Sequence, residues 1–148
     1  MTAKNTAEME NEILQVKTED ELQNFLDENK KNLPDLTLAE YLEILLKEKN
    51  LSKVDVIKKS CIGNYAYKIF SGERKNNSRT KILSLALAMQ LSLNETQRLL
   101  YYAESPKLYA KDTWDDVIIF ALNNGYDVER TNQLLTDSAL KPLLGDFS

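Results

Sequence analysis

The chain is expected to be all-α, and three observations carry that expectation. Helix formers such as Leu, Lys, Glu and Ala dominate, while β-branched runs are rare. Only three prolines and four glycines interrupt its 148 residues. Apolar residues recur at three- and four-residue spacing, with a capping residue in front of most of these runs. Hydrophobic residues make up 43% and charged residues 28%, enough for a core that needs no disulfide.

Residues 1–17 are polar and lack periodicity, so they read as a disordered tail. Thr18 with Glu21 forms a capping box that opens an N-terminal helix within residues 18–36. Leu22, Phe25 and Leu26 give it an apolar side, and Leu33-Pro34-Asp35 ends it. Thr37 caps the next helix. Leu38, Tyr41, Leu42, Leu45 and Leu46 fall on one face of it. Lys47 and Lys49 complement its C-terminal dipole, and Asn50 suits a left-handed cap.

Ser52 caps a short helix ending near Lys59, with Val54, Val56 and Ile57 as its apolar side. Ser60-Cys61-Ile62-Gly63 is a turn. A further short helix runs from Asn64 to Phe70, and Ser71-Gly72 stops it. After the polar loop Glu73–Asn77, Ser78 caps a helix that is apolar around most of its circumference and is therefore central and buried. Residues 94–103 add Leu99, Leu100 and Ala103. Beyond Ser105-Pro106 comes a helical pair. Its first member carries Trp114, Val117, Ile118, Ala121 and Leu122, and Asp127 caps the second.

The net charge of −4 is unevenly spread. Between Lys47 and Lys81 ten Lys/Arg face three Asp/Glu, a net +7, so the rest of the chain carries −11. A basic segment inside an acidic chain suits an anionic partner, although lysine-rich helices also occur as plain solvated surface. No run approaches the length of a membrane span, and no signal peptide is recognisable. One cysteine, Cys61, permits no internal disulfide. The expectation is a cytoplasmic protein without membrane partners.

Catalysis is not expected. The chain has no histidine for proton transfer near neutral pH, and Cys61 therefore lacks a histidine partner. No Gly-rich phosphate loop is present. Asp112, Asp115 and Asp116 are the one compact carboxylate group of the C-terminal half. They fall in a first helical turn, where favourable interaction with the helix dipole accounts for them. No cofactor and no metal are expected.

Leu51-Ser52, Val56-Ile57, the turn, Ile69 and Gly72 resemble the helix-turn-helix of the Cro/C1 or XRE repressor-like family, over about residues 38–91. The resemblance implies a five-helix lambda-repressor-like helix-turn-helix domain at residues 37–104. The N-terminal helix would precede it, and residues 105–148 would form a C-terminal helical-pair extension. It also implies that the helix near residues 64–70 enters the DNA major groove. Asn64, Tyr65 and Lys68 are then the candidate base contacts, with Tyr67 at the margin. Asn pairs with adenine, Lys contacts guanine, and Tyr meets a thymine methyl or a phosphate. Ser52 and Lys53, at a helix N-terminus, are candidate phosphate contacts. Arg74, Lys75, Asn76, Asn77 and Arg79 form a second phosphate clamp.

Both tyrosines stand equally as packing residues against a neighbouring helix. Lys58 and Lys59 read as solvent-facing lysines. The turn from Ser60 to Tyr65 is one residue shorter than the common family pattern, with Cys61 where glycine is frequent. That difference bears on which side chains face the bases. The expected function is sequence-specific binding of double-stranded DNA in transcription control, with repression by operator occupancy. Many such proteins bind as homodimers at half-sites about one helical turn apart. The competing reading is a protein-interaction module that binds a regulatory partner through its acidic N-terminal or C-terminal helices. Trp114 reads as core, and Phe120 is left open between core and interface.

Overall fold

A computed structural model of the chain describes residues 10, 14, 17–22, 35–73 and 76–144. Among the described residues there is no strand, and the protein is all-α. The chain divides into two units, Met1–Leu36 and Thr37–Ser148.

In the first unit, Glu10 and Leu14 are helical, although the tail at residues 1–17 was expected to be disordered. The surrounding sequence holds no Gly or Pro and consists mainly of good helix formers, so local propensity favours helix without apolar periodicity. The helix start at Thr18 is present. Its hydroxyl accepts the Glu21 N–H at 3.1 Å, while the Glu21 carboxylate takes the N–H of Lys17 at 2.9 Å. The box therefore closes one residue early. Phe25, Leu26, Leu33 and Pro34 lie outside the described residues.

The second unit contains α1 (Leu38–Glu48), α2 (Lys53–Ser60), α3 (Asn64–Ser71), α4 (Arg79–Ala88) and α5 (Leu93–Tyr102). They are followed by α6 (Thr113–Asn123) and α7 (Val128–Asp137). Five of the seven begin with a side-chain oxygen that accepts a backbone N–H of the first turn: Thr37, Ser52, Ser92, Asp112 and Asp127. Thr37 with Glu40 and Ser92 with Glu95 form full capping boxes. Left-handed residues close the segments: Asn50 (φ 53°) after α1, Gly72 (φ 79°) after α3 and Gln90 (φ 56°) after α4.

Helix α4 is the centre. Every residue from Ile82 to Met89 is buried. It packs against α2, α5 and α7, while α1 packs against α3 and α5. One expectation fails on α2. Val54 is 64% exposed, whereas Val56, Ile57 and Ser60 face inward. Val54 lies two residues from Val56, about 200° around the helix axis, so both cannot share the buried face.

Residues 105–144 extend the same core. Leu108, Ile118, Ala121, Val128, Leu135 and Leu143 are buried. Trp114 is half-buried, and its indole N–H donates to the Lys141 carbonyl at 2.8 Å. Phe120 is half-exposed and meets Tyr126 edge-on. No helix among the described residues is long and apolar enough to cross a membrane.

Candidate nucleic-acid interface

Helices α2 and α3 are joined by the three-residue turn Cys61–Gly63. Ser60 is fully buried, and its hydroxyl donates to the Ile57 carbonyl at 2.6 Å, so α2 ends tightly. Cys61 then takes a left-handed conformation (φ 62°, ψ 16°). That backbone favours glycine, and a cysteine there carries local strain. Gly63 follows with φ 58° and ψ −135°, a conformation suited to glycine. Two positive-φ residues, with Ile62 between them, thus launch α3 within three residues.

Ala66, Ile69 and Phe70 are the buried face of α3. Asn64, Tyr67, Lys68 and Ser71 are exposed. Their spacing of three, one and three residues puts them in one stripe along the helix. An α-helix with its side chains is about 10–12 Å across, which a major groove about 12 Å wide admits. Ser71 was missed as a member, although the same periodicity that revealed the buried face points to it.

The two tyrosines differ. Tyr67 is 51% exposed and sits in the middle of the stripe. Tyr65 is half-buried and turned toward α4. Its hydroxyl accepts the Ser78 N–H at 3.0 Å, and the Lys81 ammonium lies 5.0 Å from its ring centroid. The helix-turn-helix resemblance implies Tyr65 among the base contacts and Tyr67 at the margin. The structure turns Tyr67 to solvent and ties Tyr65 to the next helix.

The phosphate candidates separate in the same way. Ser52 is exposed and caps α2 through the Asp55 N–H. Helix geometry leaves the N–H groups of Lys53 and Val54 without an intrahelical acceptor, facing an exposed end. Lys53 forms an ion pair with Glu43 and lies 5.5 Å from the Phe70 ring centroid. Asn76 is exposed and Asn77 is half-buried. Arg74 and Lys75 lie outside the described residues.

Arg79 has a different task from the phosphate contact expected of it. Its Nη1 and Nη2 donate to the two carboxylate oxygens of Asp115 at 3.0 and 2.9 Å. Nε donates to the Pro106 carbonyl at 2.9 Å, and Nη2 also to the Lys107 carbonyl at 3.0 Å. All three guanidinium nitrogens are engaged, and Asp115 is only 5% exposed. Sequence spacing could not show this, since the partners lie 36 residues apart. The carboxylate trio divides accordingly. Asp112 caps α6, Asp115 is the buried partner of Arg79, and Asp116 is exposed. No metal-binding cluster occurs among the described residues.

Three of the ten basic residues in 47–81 thus pair with acids from outside the segment: Lys49 with Glu95 at 3.0 Å, Lys53 with Glu43, and Arg79 with Asp115. Those three carboxylates reduce the segment's +7 to an effective +4. Lys47, Lys58, Lys59 and Lys68 remain on exposed surface. Burial pushes the Cys61 thiol above its ordinary value, reinforced by Glu129 and Asp127, so the thiolate is disfavoured at neutral pH. Neither protein-family models, nor curated proteins, nor solved structures give a match to this chain.

Proposed function

We propose that the protein binds double-stranded DNA sequence-specifically as a transcriptional regulator, repressing by occupying its site. The observation that carries this reading is the exposed stripe Asn64, Tyr67, Lys68 and Ser71 on a helix held from behind by Ala66, Ile69 and Phe70. An amide, a phenol, an ammonium and a hydroxyl on one rigid face suit the donor and acceptor pattern of a major groove. The open N-terminus of α2 at Ser52 and Lys53 would hold one phosphate. Arg74, Lys75, Asn76 and Asn77 would hold others. Arg79 leaves that set, because four of its N–H donors are taken by Asp115 and two carbonyls. The protein acts without catalysis or a cofactor, and its single cysteine suits the reducing cytoplasm.

Selection of bound sequences from a random duplex pool tests this directly. Enrichment of a defined site supports the reading, and a palindrome would add the homodimer. Replacing Lys68, Arg74 and Lys75 together with alanine should weaken binding and flatten its salt dependence by roughly 1.8 in log–log slope, about 0.9 for each of the phosphate contacts of Arg74 and Lys75. Unchanged DNA affinity in that variant would overturn the proposal. No enrichment at moderate salt would favour an interaction module. The half-exposed cluster of Phe120, Tyr126 and Arg130, with the guanidinium 4.0 Å from the Tyr126 ring centroid, would then be the first surface to examine.

A further inference from the structure

We infer that Tyr65, Arg79 and Asp115 are positioning residues that set the pose of α3 from the segment following α5. The contacts form a continuous chain. The Asp115 carboxylate is fixed by the Tyr109 N–H at 2.8 Å and grips Arg79 with both oxygens. Arg79 is the first residue of α4 and is also tied to the carbonyls of Pro106 and Lys107. The adjoining residue, Ser78, donates its N–H to the Tyr65 hydroxyl on the first turn of α3. Lys81 over the Tyr65 ring adds a second contact between the same two helices.

Asn64, at the head of the exposed stripe, adjoins Tyr65 in sequence. A shift of Ser78 therefore moves the end of α3 that would enter the groove first. The Cys61–Gly63 turn fixes the other approach to that end, so α3 is held from two sides. None of the three positioning residues needs to touch DNA to affect binding. Loosening the chain spreads α3 over several poses, and the apparent affinity falls by the fraction that remains competent. The consequence for DNA rests on the function proposed above; the contacts themselves do not.

The test uses the full chain with Tyr65→Phe, Arg79→Lys and Asp115→Asn, singly, together with the double variant Tyr65→Phe/Asp115→Asn. Two readouts are taken well below the unfolding midpoint. The first is amide exchange at Ser78, with Leu135 in α7 as an internal control. The second is affinity across a salt series for a duplex recovered by selection. Asp115→Asn and Arg79→Lys should each speed exchange at Ser78 while Leu135 is unchanged. Each single variant should weaken DNA binding about three- to tenfold, the scale of one net hydrogen bond. The salt slope should stay the same, because the phosphates contacted are the same. The double variant should fall short of the product of its two single effects, although Tyr65 and Asp115 do not touch, because both break one chain.

Arg79→Lys separates positioning from phosphate contact. A lysine serves a phosphate as a point charge but cannot reproduce the fork on Asp115. Unchanged affinity in Arg79→Lys overturns the inference. So does unchanged Ser78 exchange in Asp115→Asn, or in Arg79→Lys where Asp115→Asn does not fold. If no duplex is enriched, the DNA reading fails and exchange at Ser78 alone judges the chain of contacts.

Discussion

Replacing Arg79 with alanine should destabilise the fold far more than removing a surface arginine. The substitution deletes four hydrogen bonds and leaves the Asp115 carboxylate, whose side chain is 7% exposed, with the Tyr109 N–H as its remaining clamp partner. Breaking a buried ion pair from one side costs about 3–5 kcal/mol. Arg79 itself is 25% exposed, and Asp115 keeps one donor, so the lower end applies. With a urea dependence of about 2 kcal/mol per molar, a loss of about 3 kcal/mol lowers the denaturation midpoint by about 1.5 M. An arginine that only faced solvent or a phosphate would change stability by no more than about 0.5 kcal/mol. Urea titration followed by circular dichroism measures the difference. A midpoint shift below about 0.3 M with an unchanged slope would refute the clamp. The double variant Arg79→Met/Asp115→Leu should recover much of the loss, because an apolar pair of similar volume avoids the stranded charge.

Three further outcomes are expected. Burial pulls the Glu95 carboxyl upward, but the Ser92 N–H and the Lys49 ammonium outweigh it and leave the group below its ordinary 4.5. Its stabilising effect is complete above that value and is lost as pH falls through the lower folded value; an acid titration of the unfolding midpoint should show this decline, and Glu95→Gln should flatten it. Burial pushes the Tyr41 phenol up to about 12, chiefly opposed by Arg98. Ultraviolet titration should find Tyr41 ionising late, with its contribution to stability intact below pH 10 and lost as pH rises toward 12, and a Tyr41→Phe variant should lack that late ionisation. Cys61→Gly should raise stability by about 0.5 kcal/mol, because relief of the left-handed strain exceeds the added freedom of the unfolded chain. A lowered midpoint for that variant would show that the Cys61 side chain contributes more by packing than its backbone costs.

Local signals were the most legible part of this chain. Thr37, Ser52 and Asp127 cap their helices through the side-chain contacts that their types favour. Asn50 and Gly72 adopt the left-handed backbone that ends α1 and α3. The burial of α4 was evident because apolar residues surround its axis and leave no polar stripe. Val54 was misread because an isolated valine in an eight-residue helix carries little phase information, and the buried face had to be decided by Val56, Ile57 and Ser60 together.

The candidate site divides along the same line. The inward face of α3 followed from the spacing of Ala66, Ile69 and Phe70, and with it the outward positions of Asn64 and Lys68. Periodicity could not distinguish Tyr65 from Tyr67, since each flanks the buried stripe. What separates them is the approach of Ser78 and Lys81 from another helix.

The sequence by itself determined the helical class, the starts and ends of most helices, and a basic segment with one outward-facing stripe. Those properties depend on contacts within about four residues and on composition. Only the tertiary structure decided how the charges are used. It removed Arg79 from the candidate phosphate surface by giving it a buried carboxylate 36 residues away, and it joined that pair to Tyr65 through Ser78. The physical reason is that a charge has the same sign in every fold, whereas its partner is set by which distant segments the core brings within 3 Å.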